Sequence, residues 1–212
     1  MKSNLSLSSI KIIRILKKTY PKPIVGLNFS NSFELLISTI LSAQCTDIRV
    51  NLTTPLLFKT FPNSKSLSTA KSKDVEKIIK STGFFRAKAK NIINCAIKLE
   101  NEFDGIVPNK MEKLIQLPGV GRKTANCVLG TYFNKPVGIV VDTHVKRISF
   151  LLGLTNNVNP EKIEFDLMKI IEEKDWHYYS NALINHGREV CIARRPKCNI
   201  CSLKILCPSV KI

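Results

Sequence analysis

Acid is what this sequence has least of. Its 16 Asp and Glu stand against 33 Lys and Arg, a formal net charge of +17. The first carboxylate is Glu34, and Asp142 is the only one between Glu112 and Glu161. A compositional bias would give a similar sum, since Lys, Ile and Asn are all abundant. Read as a surface, the excess points to a polyanionic partner, nucleic acid first. Long apolar runs are missing too: no stretch reaches the roughly 18 residues that read as a membrane span, so no membrane role is expected. A secretory signal is missing, because Lys11 and Arg14 break the apolar run near the N-terminus. That segment is basic, Ser-rich and acid-free, as organelle transit peptides are. Yet Ile10, Ile13 and Leu16 share one helical face, with Ser8 or Ser9 as a cap, so a structural helix is the expectation. Seven cysteines without a signal argue for a reducing compartment, and for metal ligation or free thiols over a disulfide frame.

Strand patterning is also scarce. "VGIVVD" is the one β-like run, too short and solitary to build a sheet. Helical periodicity fills the rest. In "SFELLISTILSAQ", Phe33, Leu36, Ile37, Ile40 and Leu41 fall on one face. "DVEKIIKSTGFF" follows with Gly83 as a C-cap, then the long amphipathic "RAKAKNIINCAIKLENEF". "THVKRISFLLGL", "PEKIEFDLMKIIEE" with Pro160 in its first turn, and "WHYYSNALINHGREVC" complete the pattern. The class is all-α, with about ten short helices. Pro21 with Pro23, and "NKPVG" at 134–138, are the plausible seams; a chain folded back on its first helix would have two lobes and a cleft between them.

Cys191, Cys198, Cys201 and Cys207 form C-x6-C-x2-C-x5-C, a spacing that lets four thiolates share one cationic centre. Structural zinc and a 4Fe–4S cluster both fit four thiolates. Arg194, Arg195 and Lys197 lie in the same loop, either as phosphate contacts or as solvating charges. Cys45, Cys95 and Cys127 fall in helical patterns and read as small buried hydrophobes.

"MEKLIQL-PGVG-RKTANCVLG" reads as helix, tight turn, helix. Pro118 stops the first helix, and Gly119 and Gly121 allow torsions closed to other residues. The second helix would then aim unpaired N–H groups and its dipole outward, a grip for phosphate that reads no base. Leu117, Pro118, Gly119, Val120, Gly121 and Arg122 make that helix-hairpin-helix contact, whose plain alternative is an ordinary αα-corner. Lys123 stands in the helix's first turn, where the dipole and Arg122 both disfavour an ammonium. It is either a phosphate contact or an amine nucleophile. Asp142, before a helical pattern, is an N-cap and the nearest acid in sequence that could partner a cation. A cap also fixes the side chain for chemistry.

"LPGVGRKTAN", "VDTHVKR" and the cysteine tail occur in this order, at these separations, in endonuclease III, and "LLISTILSAQCTD" and "STGFFRAKAKNI" are similar as well. Over residues 10–207 the sequence resembles that bacterial DNA repair family. The resemblance implies a six-helix barrel lobe at 23–135, with the hairpin at about 111–130, and a second lobe from 1–22 plus 136–212. It implies one 4Fe–4S cluster on Cys191, Cys198, Cys201 and Cys207, in the loop 191–207. It further implies a monomer acting on damaged double-stranded DNA in the bacterial cytoplasm, near the nucleoid. The flipped-out nucleotide would be attacked at C1′ by Lys123, with Asp142 stabilising the cationic sugar. An oxidised pyrimidine leaves, and β-elimination through the Schiff base cuts 3′ to the lesion. Gln44 matches the residue that enters the gap, and Phe84 stands near the wedge position, where leucine is common; core packing is its alternative. His144 is a phosphate contact or a buried, hydrogen-bonded histidine. Rival expectations are an adenine-mismatch glycosylase relative, a non-catalytic hairpin module and an iron–sulfur electron carrier. Lys123, and a tail reaching only to Ile212, favour the lyase-competent enzyme over the first. Lys123 with Asp142 argue against the second, and charge with hairpin against the third.

Overall fold

Helices alone carry the regular structure. The computed structural model describes residues 2–23 and 25–211; Met1 and Ile212, the ends of the expected second lobe, and Ile24 of the expected barrel lie outside the described residues. In chain order the α-helices are α1 (Lys2–Thr19), α2 (Ser32–Leu41), α3 (Asp47–Thr60), α4 (Ser64–Ser68), α5 (Ser72–Ile79), α6 (Phe85–Phe103), α7 (Met111–Leu114), α8 (Arg122–Thr131), α9 (Thr143–Leu151), α10 (Pro160–Met168) and α11 (Trp176–Glu189). "VGIVVD" forms no strand; it runs as coil that buries Ile139 and Val141. The packing divides into two units, Met1–Ile24 with Pro136–Ile212, and Val25–Lys135.

The unit Val25–Lys135 is built around α2 and α6. Asn31 caps α2 by accepting from the Glu34 N–H at 2.9 Å, and Glu34 accepts from the Ser30 N–H at 2.7 Å. The face expected from sequence, Phe33, Leu36, Ile37, Ile40 and Leu41, is buried as a whole. It meets Ala89, Ile92, Cys95, Ala96 and Leu99 of α6 in one core. Two helices there were not expected. α3 holds Pro55 in its interior and buries two threonines with Val50 and Leu57, so it carries no clear apolar period. α4 is a single capped turn, closed by a reciprocal Asn63–Ser66 box. Cys45 is half-buried in the turn before α3 and not inside a helix.

The other unit packs α11 against α1 and α9. Ile12, Ile13 and Leu16 of α1, and Tyr20 just after it, join Val145, Ile148, Tyr179 and Leu183 in its core. The Tyr179 hydroxyl lies 2.9 Å from that of Ser149, so neither buried group lacks a partner. α1 begins at Lys2, upstream of Ser8 and Ser9, so these are not its cap. The Ser9 hydroxyl instead donates back to the Ser6 carbonyl at 2.8 Å and to the Ile170 carbonyl at 2.5 Å, because a buried hydroxyl takes whichever acceptors face it.

The hairpin joins α7 to α8 through a turn at 118–121. Leu117 and Val120 sink into the core at 2% and 6% exposure, which anchors the turn from below. Gly119 has φ +78°, and a Cβ there would stand 3.0 Å from Asn91 Cβ and 3.2 Å from Ile40 Cγ2. Gly121 is different: its φ of −93° is open to any residue, and a Cβ would meet no protein atom within 4 Å. The torsional reason expected for both glycines therefore holds for Gly119 alone; Gly121 keeps the approach to the helix end clear. Gly119→Ala should cost about 1–3 kcal/mol in denaturant unfolding, and Gly121→Ala less than about 0.5 kcal/mol. Equal losses would contradict this division.

Candidate functional site

Two helix N-termini, one in each unit, hold Lys123 and Asp142. α8 starts after Gly121, which has no side chain and so makes no side-chain cap bond. Its first intrahelical bond is Ala125 N–H to the Gly121 carbonyl at 3.0 Å. The first turn thus offers backbone donors and the positive end of the dipole to an anion. Lys123 is exposed in that turn. Cys127, one turn on, has its thiol 4.0 Å from the hydroxyls of Thr39 and Thr131. Burial pushes that thiol up, against the pull of both hydroxyls and of Lys123, so Cys127 stays neutral below the amine. Leu117 and Val120 face inward, so only their backbone can reach a phosphate; Pro118 and Arg122 are half-buried and Gly119 is exposed.

α9 is capped where α8 is not. One oxygen of Asp142, Oδ1, accepts from the His144 N–H at 2.9 Å and the Val145 N–H at 2.8 Å. Both bonds fall on the same oxygen, which fixes the carboxylate and turns Oδ2 to other uses. The ring of His144 lies against Gly187 of α11: a Cβ there would come within 2.5 Å of its Nδ1. Arg147 Nη2 is 3.5 Å from the same nitrogen. His144 is therefore half-buried, with its ring between α9 and α11.

Gln44 and Phe84 stand on exposed turns of the unit Val25–Lys135, and both have left-handed backbones, φ 52° and 46°. Phe84 is 67% exposed, which removes the core-packing alternative. A bulky residue held left-handed and out in solvent is an uncommon, strained arrangement that clusters at functional sites.

The four tail cysteines line one cavity of about 160 Å³, together with Ile148, Leu152 and Leu203. All four are free thiols. Among the described residues no three His, Cys, Asp or Glu converge as ligands of one metal ion would. The four cysteines share only the lining of that cavity. Burial pushes Cys191 up, with Arg147 opposing it, and burial pushes Cys201 up as well. Two residues missed from sequence hold this wall. Arg147 donates to the Cys191 carbonyl at 2.5 Å. His186, 1% exposed, has Nδ1 3.3 Å from the Tyr20 hydroxyl and Nε2 3.5 Å from Cys201 Sγ. Burial lowers its pKa to about 4, so it is neutral at physiological pH. Nothing in the spacing of "VKR" or "NHG" marks either residue; their roles arise only from helix packing. Arg194, Arg195 and Lys197 are exposed along the same loop.

A family model described as HhH-GPD superfamily base excision DNA repair protein matches residues 37–173. An endonuclease III from Synechocystis sp. is 51% identical over 201 residues, 95% of this chain and 92% of that one. Among solved structures, a non-covalent endonuclease III–DNA complex superposes with a TM-score of 0.92 at 38% identity, covering 96% of this chain and 95% of the other. A trapped endonuclease III–DNA covalent intermediate gives a TM-score of 0.92 at 37% identity, covering 96% of both chains. The all-helical fold, the hairpin and the cysteine tail thus agree with whole-length similarity: the chain belongs to the endonuclease III family of the HhH-GPD superfamily.

Proposed function

We propose that this chain removes oxidised pyrimidines from duplex DNA and cuts the resulting abasic strand, with Lys123 as the nucleophile. It is a base-excision DNA glycosylase and abasic-site lyase. The observation that carries the residue assignment is the place of Lys123: an exposed amine in the first turn of a helix whose N-terminus no side chain caps. Backbone donors at 119–121 and the start of α8 bind phosphate; the amine beside them meets the sugar of the bound nucleotide. The covalent trapping of a relative on DNA supports a nucleophile of this kind.

The nucleotide leaves the stack because C1′ is inaccessible within it. The Lys123 amine adds to C1′ as the base departs with the bonding pair of the glycosidic bond. Asp142, fixed through Oδ1, stabilises the positive sugar and assists proton transfer. Ring opening turns the adduct into an iminium, loss of a C2′ proton expels the 3′ phosphate, and water then frees the lysine. Gln44 fills the vacated space and Phe84 wedges the stack.

Cys191, Cys198, Cys201 and Cys207 would hold one 4Fe–4S cluster, and four cysteines lining one cavity are the donor set that suits it. Bound there, it supplies a structural tie and no bond-breaking chemistry. Arg147 and the neutral His186 orient the cysteine wall, and Arg194, Arg195 and Lys197 are presented to phosphates from the loop. In this reading 23–135 is the six-helix barrel lobe with the hairpin, 1–22 plus 136–212 is the cluster lobe, and the protein works as a monomer in the bacterial cytoplasm, near the nucleoid. No helix among the described residues is long and apolar enough to cross a membrane.

Borohydride added to protein on abasic duplex should trap a covalent adduct from wild type and none from Lys123→Ala; a wild-type level of adduct from the variant would remove Lys123 from the chemistry. Asp142→Asn keeps a capping oxygen, so stability should change by less than about 0.5 kcal/mol, while excision falls roughly 10²–10⁴-fold. Asp142→Ala should add a stability loss of about 0.5–2 kcal/mol from the lost cap. If both variants lose activity only in step with stability, the acid is a cap and no more. Purified protein should contain iron and acid-labile sulfide in equal amounts, and Cys198→Ala should lower both; zinc in their place would overturn the cluster.

A further inference from the structure

Lys88 is a buried charge that the scheme above leaves without a task. It is 5% exposed, in a residue type almost never fully buried. Its Nζ donates to the Thr82 carbonyl at 2.7 Å, the one hydrogen bond its side chain makes among the described residues. An ammonium held by one neutral carbonyl destabilises the fold relative to an apolar side chain of the same length. Burial accordingly pushes the amine down from its ordinary value, with the Cys45 thiol opposing. Some gain at this position has to offset that cost.

The gain lies in what Lys88 grips. Thr82 directly precedes Gly83 and Phe84, two successive left-handed residues with φ of 69° and 46°. Phe84 is the N-cap of α6 and has no side-chain bond to hold the turn. The backbone N–H of Lys88 donates to the Phe84 carbonyl at 3.0 Å while its side chain holds the Thr82 carbonyl. One residue thus fixes the carbonyls on both sides of the strained pair. The Thr82 hydroxyl adds a bond to the Ile79 carbonyl at 2.8 Å, and Ser81 meets Thr53 of α3 at 3.1 Å, so the near side of the turn is fixed as well.

We propose that Lys88 is a positioning residue for DNA distortion: its clamp on the Thr82 and Phe84 carbonyls keeps the exposed Phe84 ring in the orientation that enters a base stack. This rests on the reading of Phe84 as the wedge. Lys88 touches no DNA in this account; it acts through the turn.

The test uses cluster-loaded protein and a duplex with 2-aminopurine opposite a tetrahydrofuran abasic analogue, so that no chemistry is needed. Fluorescence rises when the fluorophore unstacks. Lys88→Met keeps the stem and removes the donor. It should fold with an unchanged or higher Tm and bind undamaged duplex as wild type does. The fluorescence rise should be mostly lost, with excision slowed roughly 10–100-fold, as misplacement of a positioning group costs. Lys88→Leu is the second donor-free variant. A wild-type rise from either folded variant overturns the assignment, and so does failure of both to fold, which would make the lysine a general stability residue. Phe84→Ala is measured alongside. If it loses the rise while the Lys88 variants keep it, the wedge stands and the clamp falls. If it keeps the rise, the wedge reading fails and the clamp falls with it.

Discussion

The first turn of an α-helix exposes N–H groups that must find acceptors, and the chemistry of this protein is arranged around that need. In α9 the need is met internally, by one oxygen of Asp142. In α8 it is left to the outside, because Gly121 has no side chain to offer. The same constraint thereby yields a fixed carboxylate in one place and uncapped backbone donors, the proposed phosphate grip, in another. Capping α8 with Ser or Asp would stabilise the helix and fill the site proposed for phosphate. Burial of Leu117 and Val120, with the close approach at Gly119, keeps the uncapped end from fraying.

Backbone strain follows a similar division of labour. The left-handed residues Asp104 and Asn134 are of types that tolerate that conformation, and they sit at helix or loop ends. Gln44 and Phe84 are not of those types, and both are exposed. Solvent supplies no packing to hold them, so the restraint has to come from beneath. At Phe84 it comes from carbonyl bonds on both flanks, one of them made by a buried cation. An exposed aromatic ring on a rigid turn loses little conformational freedom when it enters a base stack, which favours its use as a wedge.

What could be read from the sequence was what is local. The face of α2 follows from a 3.6-residue period, the cap at Asp142 from an acid just before a helical pattern, and the shared cavity from cysteine spacing. The misreadings are equally local in cause. α3 went unread because Pro55 and its buried threonines break both the propensity and the period, and long-range packing overrides them. Ser8 and Ser9 resemble caps, but the helix extends past them because side chains downstream are held by the core. Gly121 resembles Gly119 in letters and differs in torsion. Lys88, Arg147 and His186 act through partners distant in sequence or through turns whose torsions have no letter, so no window on the chain reveals them.

The segment 191–207 brings these arguments together. Only Leu203 is buried along it, and its regular structure is limited to the short 3₁₀ turns Cys198–Ile200 and Lys204–Leu206. So little apolar burial does not offset the entropy of ordering a loop of this length. Arg194, Arg195 and Lys197 add mutual repulsion. Three of its contacts fall on the cysteines: Arg147 on the Cys191 carbonyl, His186 on Cys201, and the Cys207 thiol donating to the Leu151 carbonyl at 3.7 Å. A loop with so little core of its own would take its shape from the cluster proposed for its four cysteines. In the proposed cluster one ligand set would fix the loop and hold Arg194, Arg195 and Lys197 toward phosphate.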